Sequence, residues 1–158
     1  MKRTKLNKKG KSETAKLIQE LVKLSHTFIR NRDSVYGDGS YAGYCFDCNN
    51  WCEGQQFQAG HWIADSVGGM LLRYHPHNMH GQSGGCNMKY SQERVKIEYT
   101  FKMIEKYGKE HVDHLRTLQH KKDAIGMPLR ADSIFYNKMI ELYTKGVESD
   151  IVAYLDSF

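Results

Sequence analysis

The sequence predicts an α+β fold, a compact module of short strands and turns set between helices. Three observations carry this. Cysteine, glycine and asparagine crowd residues 34–87, where no helical period survives. Apolar residues recur at helical spacing on both sides of that stretch. With 158 residues, 40% of them hydrophobic, the chain can bury one modest core.

Taken in order, residues 1–11 are polar and Lys-rich and read as a flexible basic arm. Leu17, Leu21, Leu24 and Phe28 then mark a helix over 12–31, with Ser12 as its N-cap. Glycines and cysteines through residue 60 predict short strands and tight turns. Gly68-Gly69 predicts a hairpin turn between His61-Trp62-Ile63 and Met70-Leu71-Leu72-Arg73-Tyr74. Beyond Cys86 the helical period returns. Val95, Tyr99 and Met103 share a stripe, and Gly108 fits the residue after a helix end. Val112, Leu115 and Leu118 mark a second helix. Phe135, Met139 and Leu142 mark a third, closed by Gly146, and Ile151 and Leu155 a last one. The expected organisation is the arm, 1–11, followed by a single domain, 12–158, with its motif core at 43–92 and a helical part at 92–158.

Net charge is +5, unevenly spread. Residues 1–33 hold ten Lys or Arg against three acids, so this segment is +7 and the remainder −2. A localised basic arm suits a polyanion, and Lys2, Arg3, Lys5, Lys8, Lys9, Lys11, Arg30 and Arg32 are its candidate phosphate contacts. No apolar run reaches the length of a membrane span, and the basic N-terminus lacks the apolar stretch of a secretory signal. The expectation is a cytoplasmic protein with a polyanionic partner and no membrane.

The chemistry concentrates between residues 45 and 87. Cys45-x2-Cys48 is a knuckle able to present two thiolates to one ion, and Cys86 could close the same site. His61 stands in Ala59-Gly60-His61, and Asn78 and Asn87 follow. Lone histidines such as His26 read as ordinary surface residues, and Trp51, Trp62, Tyr74 and Tyr90 as core aromatics.

The order Cys-x2-Cys, His, Asn, Cys-Asn resembles an HNH (His-Me finger) nuclease module with a zinc knuckle. Three stretches resemble the phage NinG (Rap) recombination-nuclease family in particular. They are Phe28-Ile29-Arg30-Asn31-Arg32-Asp33, Ala59-Gly60-His61, and Asn78-Met79-His80-Gly81-Gln82 leading to Cys86-Asn87. The resemblance implies a ββα-metal core with an N-terminal helix and C-terminal helices flanking it. It also implies a DNA endonuclease acting on branched recombination intermediates, a Holliday junction or D-loop, with structural Zn²⁺ and catalytic Mg²⁺ or Mn²⁺. His61 would be the general base, Asn78 would orient it, and Asn87 would hold the catalytic metal. By analogy with junction resolvases, a homodimer is open.

Two departures stand out. The family's second knuckle is Cys-x2-Cys, and Ser83 occupies its first position, so a fourth zinc ligand is sought in Cys52, with His80 second. Many HNH sites carry an acid immediately before the histidine, and Gly60 stands there. Asp65, His80 or Gln58 could supply the second catalytic-metal ligand. Both departures also admit a non-catalytic zinc-finger DNA-binding accessory protein. A Cys-x2-Cys oxidoreductase is disfavoured because no βαβ pattern surrounds the pair.

Overall fold

The computed structural model describes residues 12–88, 93–121 and 133–158. The arm, and with it Lys2, Arg3, Lys5, Lys8, Lys9 and Lys11, lies outside them, as does Tyr90. Helix α1 (Glu13–Asp33) begins where Ser12 Oγ accepts a hydrogen bond from the Ala15 amide at 3.3 Å. Glu13 in its first turn and Arg30 and Arg32 in its last suit the helix dipole. Leu21, Ser25 and Ile29, four apart, form its buried seam.

The strands make two antiparallel pairs. Strand β1 (Ala42–Tyr44) pairs with β2 (Trp51–Glu53), and β3 (Phe57–His61) pairs with β4 (Met79–Ser83). In the second pair Gly60 faces His80 and His61 faces Met79. The hairpin expected at Gly68-Gly69 is not formed. Those glycines lie inside helix α2 (Asp65–Arg73), which fills the connection between β3 and β4, and Gly69 kinks it with a φ of 70°. Met70-Leu71-Leu72, expected as strand, is a helical run buried in the core. Short apolar runs carry too little periodicity to separate the two.

Helix α3 (Gly84–Met88) follows β4 directly. Helices α4 (Glu93–Tyr107), α5 (Lys109–Lys121), α6 (Ser133–Lys145) and α7 (Glu148–Asp156) complete the described chain. Gly108 and Gly146 end α4 and α6 with φ of 84° and 73°, as the sequence predicts. The mix of helices and small sheets is α+β. The main core joins α1 and α2 to the C-terminal helices, with Leu21, Leu72, Tyr99, Met103, Leu115, Tyr136 and Leu155 among its buried members. A smaller cluster of Ile29, Ala59 and Met79 seats the β3–β4 pair on α1. Among the described residues, no helix is long and apolar enough to cross a membrane.

Histidines line the seam between this pair and the helices. His75 is fully buried, and its Nε2 meets Asp156 Oδ1 at 3.3 Å; His114 Nε2 meets the same oxygen at 2.9 Å. His77 Nδ1 lies 2.8 Å from His111 Nε2, and the His77 ring stacks on Tyr107. Burial holds the His77 imidazole down to about 3, with the neighbouring His75, His111 and Arg32 acting in the same direction. His80 is pushed well below its ordinary value, again chiefly by burial.

A histidine whose folded pKa lies below its unfolded value of about 6.5 takes up protons more readily when unfolded. Its contribution to stability is therefore complete above pH 6.5 and lost as pH falls toward the folded value. Taking the pH from 7 to 5 should cost about 2 kcal/mol from His77 alone. The melting temperature should fall over that interval, and His77→Phe, which keeps the stack on Tyr107, should flatten the slope. Equal slopes for wild type and variant would contradict this account of His77.

Candidate active site and metal centre

Cys45, Cys48 and Cys86 converge, with ligand atoms all within 4.8 Å of one another. The knuckle turn places the first two. The Cys45 amide donates to Asn50 O at 2.9 Å, and the Asn49 amide donates to Cys45 O at 2.9 Å. The β4–α3 junction delivers the third. Burial pushes the Cys86 thiol up to about 12, and the nearby Cys48 and Cys45 sulfurs add to the rise against the opposing Ser83 hydroxyl. Three thiol sulfurs gathered at one point are suited to a soft cation, which favours the thiolate form. The cluster can hold a metal ion.

The two expected fourth ligands both lie elsewhere. Cys52 faces Gly43 across β1–β2, and its thiol reaches Gly43 O at 3.7 Å, packed with Phe57. It packs beside Cys45 but is not one of the three convergent thiols. His80 is fully buried, with Nδ1 at 2.9 Å from Tyr99 Oη and Nε2 at 2.8 Å from Tyr107 Oη, and its ring lies stacked on Phe46 at 4.0 Å. Both ring nitrogens of His80 are thus engaged by tyrosine hydroxyls. Ser83 itself stands at the cluster. Its Oγ accepts from the Cys86 amide at 3.2 Å and hydrogen-bonds with the thiols of Cys48 and Cys86.

His61 ends β3. Its Nε2 lies 3.0 Å from Arg73 O, and a carbonyl oxygen only accepts. In the neutral ring Nε2 therefore carries the proton and Nδ1 the lone pair. Asn78 acts one step removed from the position expected of it. It sits in a 3-10 turn (Pro76–Asn78) ahead of β4, fully buried. Its Oδ1 accepts from the Ile63 amide at 2.9 Å, while its Nδ2 donates to Ile63 O at 3.0 Å and Leu72 O at 2.9 Å. It thus clamps the main chain leaving His61 and the end of α2, whose Arg73 carbonyl holds the imidazole.

On the other face of β3, Asn87 Nδ2 donates to Gln58 Oε1 at 2.9 Å, which leaves Asn87 Oδ1 turned toward Gly60. Gln58 is thereby an orienting partner, with its own Nε2 donating to Gln55 O. The space beside Gly60 that a side chain would fill holds Gln82 Oε1, and a Cβ there would also lie 3.1 Å from Asn87 Oδ1. Gln82 is fully buried, its Nε2 donates to Asp47 Oδ2, and its Oε1 has no hydrogen-bond partner among the described residues. Burial raises the Asp47 carboxyl above its usual range, opposed by Gln82 and Lys102. Asp65 opens α2, but its side chain lies outside the described residues.

A groove of about 310 Å³ crosses the free edge of β3, lined by His26, Arg30, Gln55, Gln58, Ala59 and Asn87. His26 meets the His61 ring edge-on at 6.0 Å. His26, expected to be an ordinary surface residue, lines the groove instead. Its signal was the four-residue spacing to Arg30, which puts both on one face of α1. Arg30 stays at the groove, donating to Gly54 O at 2.7 Å with its guanidinium 3.7 Å from the Tyr41 ring centroid. Arg32 does not serve as a surface phosphate contact. It is bonded to Asp33, Glu148, Pro76 O and Met79 O and is only 16% exposed. Trp62 and Tyr74 are core as expected, whereas Trp51 is exposed and meets Tyr36 and Tyr44 edge-on.

A family model described as Bacteriophage Lambda NinG protein matches residues 1–138. No curated protein and no solved structure matches the chain.

Metal analysis of the purified chain should return one thiol-bound ion per chain. Cys45→Ser and Cys86→Ser should lose it together with the local fold, because such metal sites contribute folding energy. Cys52→Ser should keep it. Ser83→Cys should slow metal loss to a chelator by completing a four-thiolate set. Metal loss from Cys52→Ser as complete as from Cys45→Ser would place Cys52 among the ligands.

Proposed function

The chain belongs to the phage lambda NinG family, and on that premise we propose that it is a metal-dependent DNA endonuclease of the HNH type acting on branched recombination intermediates. The observation that carries this reading is the groove over the edge of β3, with His61 beside one wall and the Asn87 amide on the other. Adjacent strand residues project to opposite faces. A phosphodiester lying across that edge would have a base on one side and oxygen ligands on the other.

His61 Nδ1 would take the proton from the attacking water, and the carbonyl of Arg73 would keep the ring in the required tautomer and stabilise the imidazolium that forms. A Mg²⁺ or Mn²⁺ ion held at Asn87 would stabilise the charge developing on the phosphate and the leaving oxygen. The orphaned Gln82 oxygen and the cradle at Gly60 suit such a hard cation. At Cys45, Cys48 and Cys86 the soft donor set suits Zn²⁺, with Ser83 or a water molecule in the fourth position. Arg30 and the basic N-terminal segment would meet phosphates without reading sequence.

The test is Mg²⁺- or Mn²⁺-dependent cutting of a synthetic four-way junction beside linear duplex. His61→Ala should lower the cutting rate by about 10²–10⁴-fold with binding retained, the scale of a lost general base. Binding should weaken steeply with salt. Tight binding with no cutting by either protein would replace this reading with a non-catalytic, zinc-dependent DNA-binding accessory protein.

A further inference from the structure

Two side-chain amides converge beside Gly60, and each has its orientation fixed from behind. Gln82 gives its Nε2–H to the Asp47 carboxylate, which only accepts, so its Oε1 must point the opposite way. Asn87 gives its Nδ2–H to Gln58 Oε1, so its Oδ1 is turned toward the same point. Gln82 Oε1 fills the position that a Cβ at residue 60 would take, and Asn87 Oδ1 lies 3.1 Å from that position. Gln82 is fully buried and its oxygen is without a donor among the described residues. A buried amide oxygen left unpaired is destabilising. Two acceptor oxygens facing one point call for an electropositive guest.

We propose that Gln82 Oε1 and Asn87 Oδ1 form the protein's share of a site for a hard divalent cation, Mg²⁺ or Mn²⁺. Gln82 supplies across the sheet the oxygen that residue 60, a glycine, cannot. Gly60 is required because any Cβ would expel that oxygen. Asp47 is a positioning residue: its carboxylate locks the Gln82 amide and adds negative charge behind it. Amide oxygens are hard ligands, and a site with only two of them leaves further positions for water and phosphate oxygens, the usual habit of Mg²⁺. The assignment rests on the endonuclease reading for its chemical purpose and on the amide geometry for its existence.

The experiment titrates Mn²⁺ into the full chain, with its thiol-bound metal in place, and follows free Mn²⁺ by electron paramagnetic resonance. Wild type should take up Mn²⁺. Gln82→Ala should weaken that uptake by about tenfold or more, and Asp47→Asn, which lets the amide flip, by a similar factor. The double variant Gly60→Asp with Gln82→Ala should restore uptake, since a carboxylate at residue 60 would then enter the vacated space. Thiol-metal content and melting temperature report folding, and Gln82→Met, which keeps the volume, replaces Gln82→Ala if the latter does not fold. Unchanged Mn²⁺ affinity in the folded Gln82 variants, or no uptake by wild type, overturns the proposal. Junction cutting measured in parallel separates the two claims. Cutting by wild type with Mn²⁺ affinity indifferent to Gln82 sinks this site alone. Gln82-dependent uptake without any cutting sinks the endonuclease and leaves the cation site standing.

Discussion

The pair Arg32 and Asp33, at the last turn of α1, ties the chemistry to the scaffold. Arg32 binds Asp33 through Nε and Nη2, reaches Pro76 O and Met79 O on the strand side, and meets Glu148 at the start of α7. Asp33 Oδ2 accepts from the Gly81 amide at 2.7 Å. Strand β4 is thus held at two points by one pair of charges, each under a fifth exposed. An isolated two-stranded ribbon is marginal in water, so β3–β4 depends on this docking and on the Ile29, Ala59 and Met79 contact. Removing Arg32 would leave the Asp33 carboxylate buried without its bidentate partner, whereas removing Asp33 would leave Arg32 with Glu148 alone, and either loss would loosen β4.

The helices were readable because their signals are local. Ser12 caps α1, Gly108 and Gly146 close α4 and α6, and the Tyr99/Met103 and Phe135/Met139 stripes are buried where the period puts them. The strands were less readable, because β3 and β4 are separated by a helix and pair across it. Their sequences, Phe57–His61 and Met79–Ser83, are five residues each and interrupted by Gly60 and Gly81, too short for a clear alternation. Met70-Leu71-Leu72 satisfies strand and helix patterns equally, and only its burial against Tyr136 and the other core residues decides.

The site divides the same way. Cys45, Cys48 and Cys86 could be grouped from spacing and order, whereas Cys52 could not be excluded from them until its pairing with Gly43 was known. Arg32 reads as surface charge in a basic segment, and its burial follows from partners more than forty residues away. Gln82 gave no signal at all. A glutamine becomes notable only when its amide is pinned by Asp47 and its oxygen stands where residue 60 lacks a side chain. Long-range side-chain geometry of this kind has no period to detect.

Two adjacent pairs explain how hard and soft donors coexist in so short a segment. Gln82 and Ser83 are neighbours on β4, and strand alternation sends one to the Gly60 cradle and the other to the thiols. Cys86 and Asn87 are neighbours on α3, and the helical step of about 100° sends one to the thiols and the other to the cradle. Each donor set therefore contains one member of both pairs. A metal closing Cys86 onto the knuckle would fix the turn from β4 into α3, the turn that sets where Asn87 Oδ1 stands relative to Gln82 Oε1. In the proposed arrangement the soft site would act as the jig for the hard one, and neutral, few oxygen ligands would suffice because a thiol-bound metal and the Asp47 carboxylate would hold their geometry in advance.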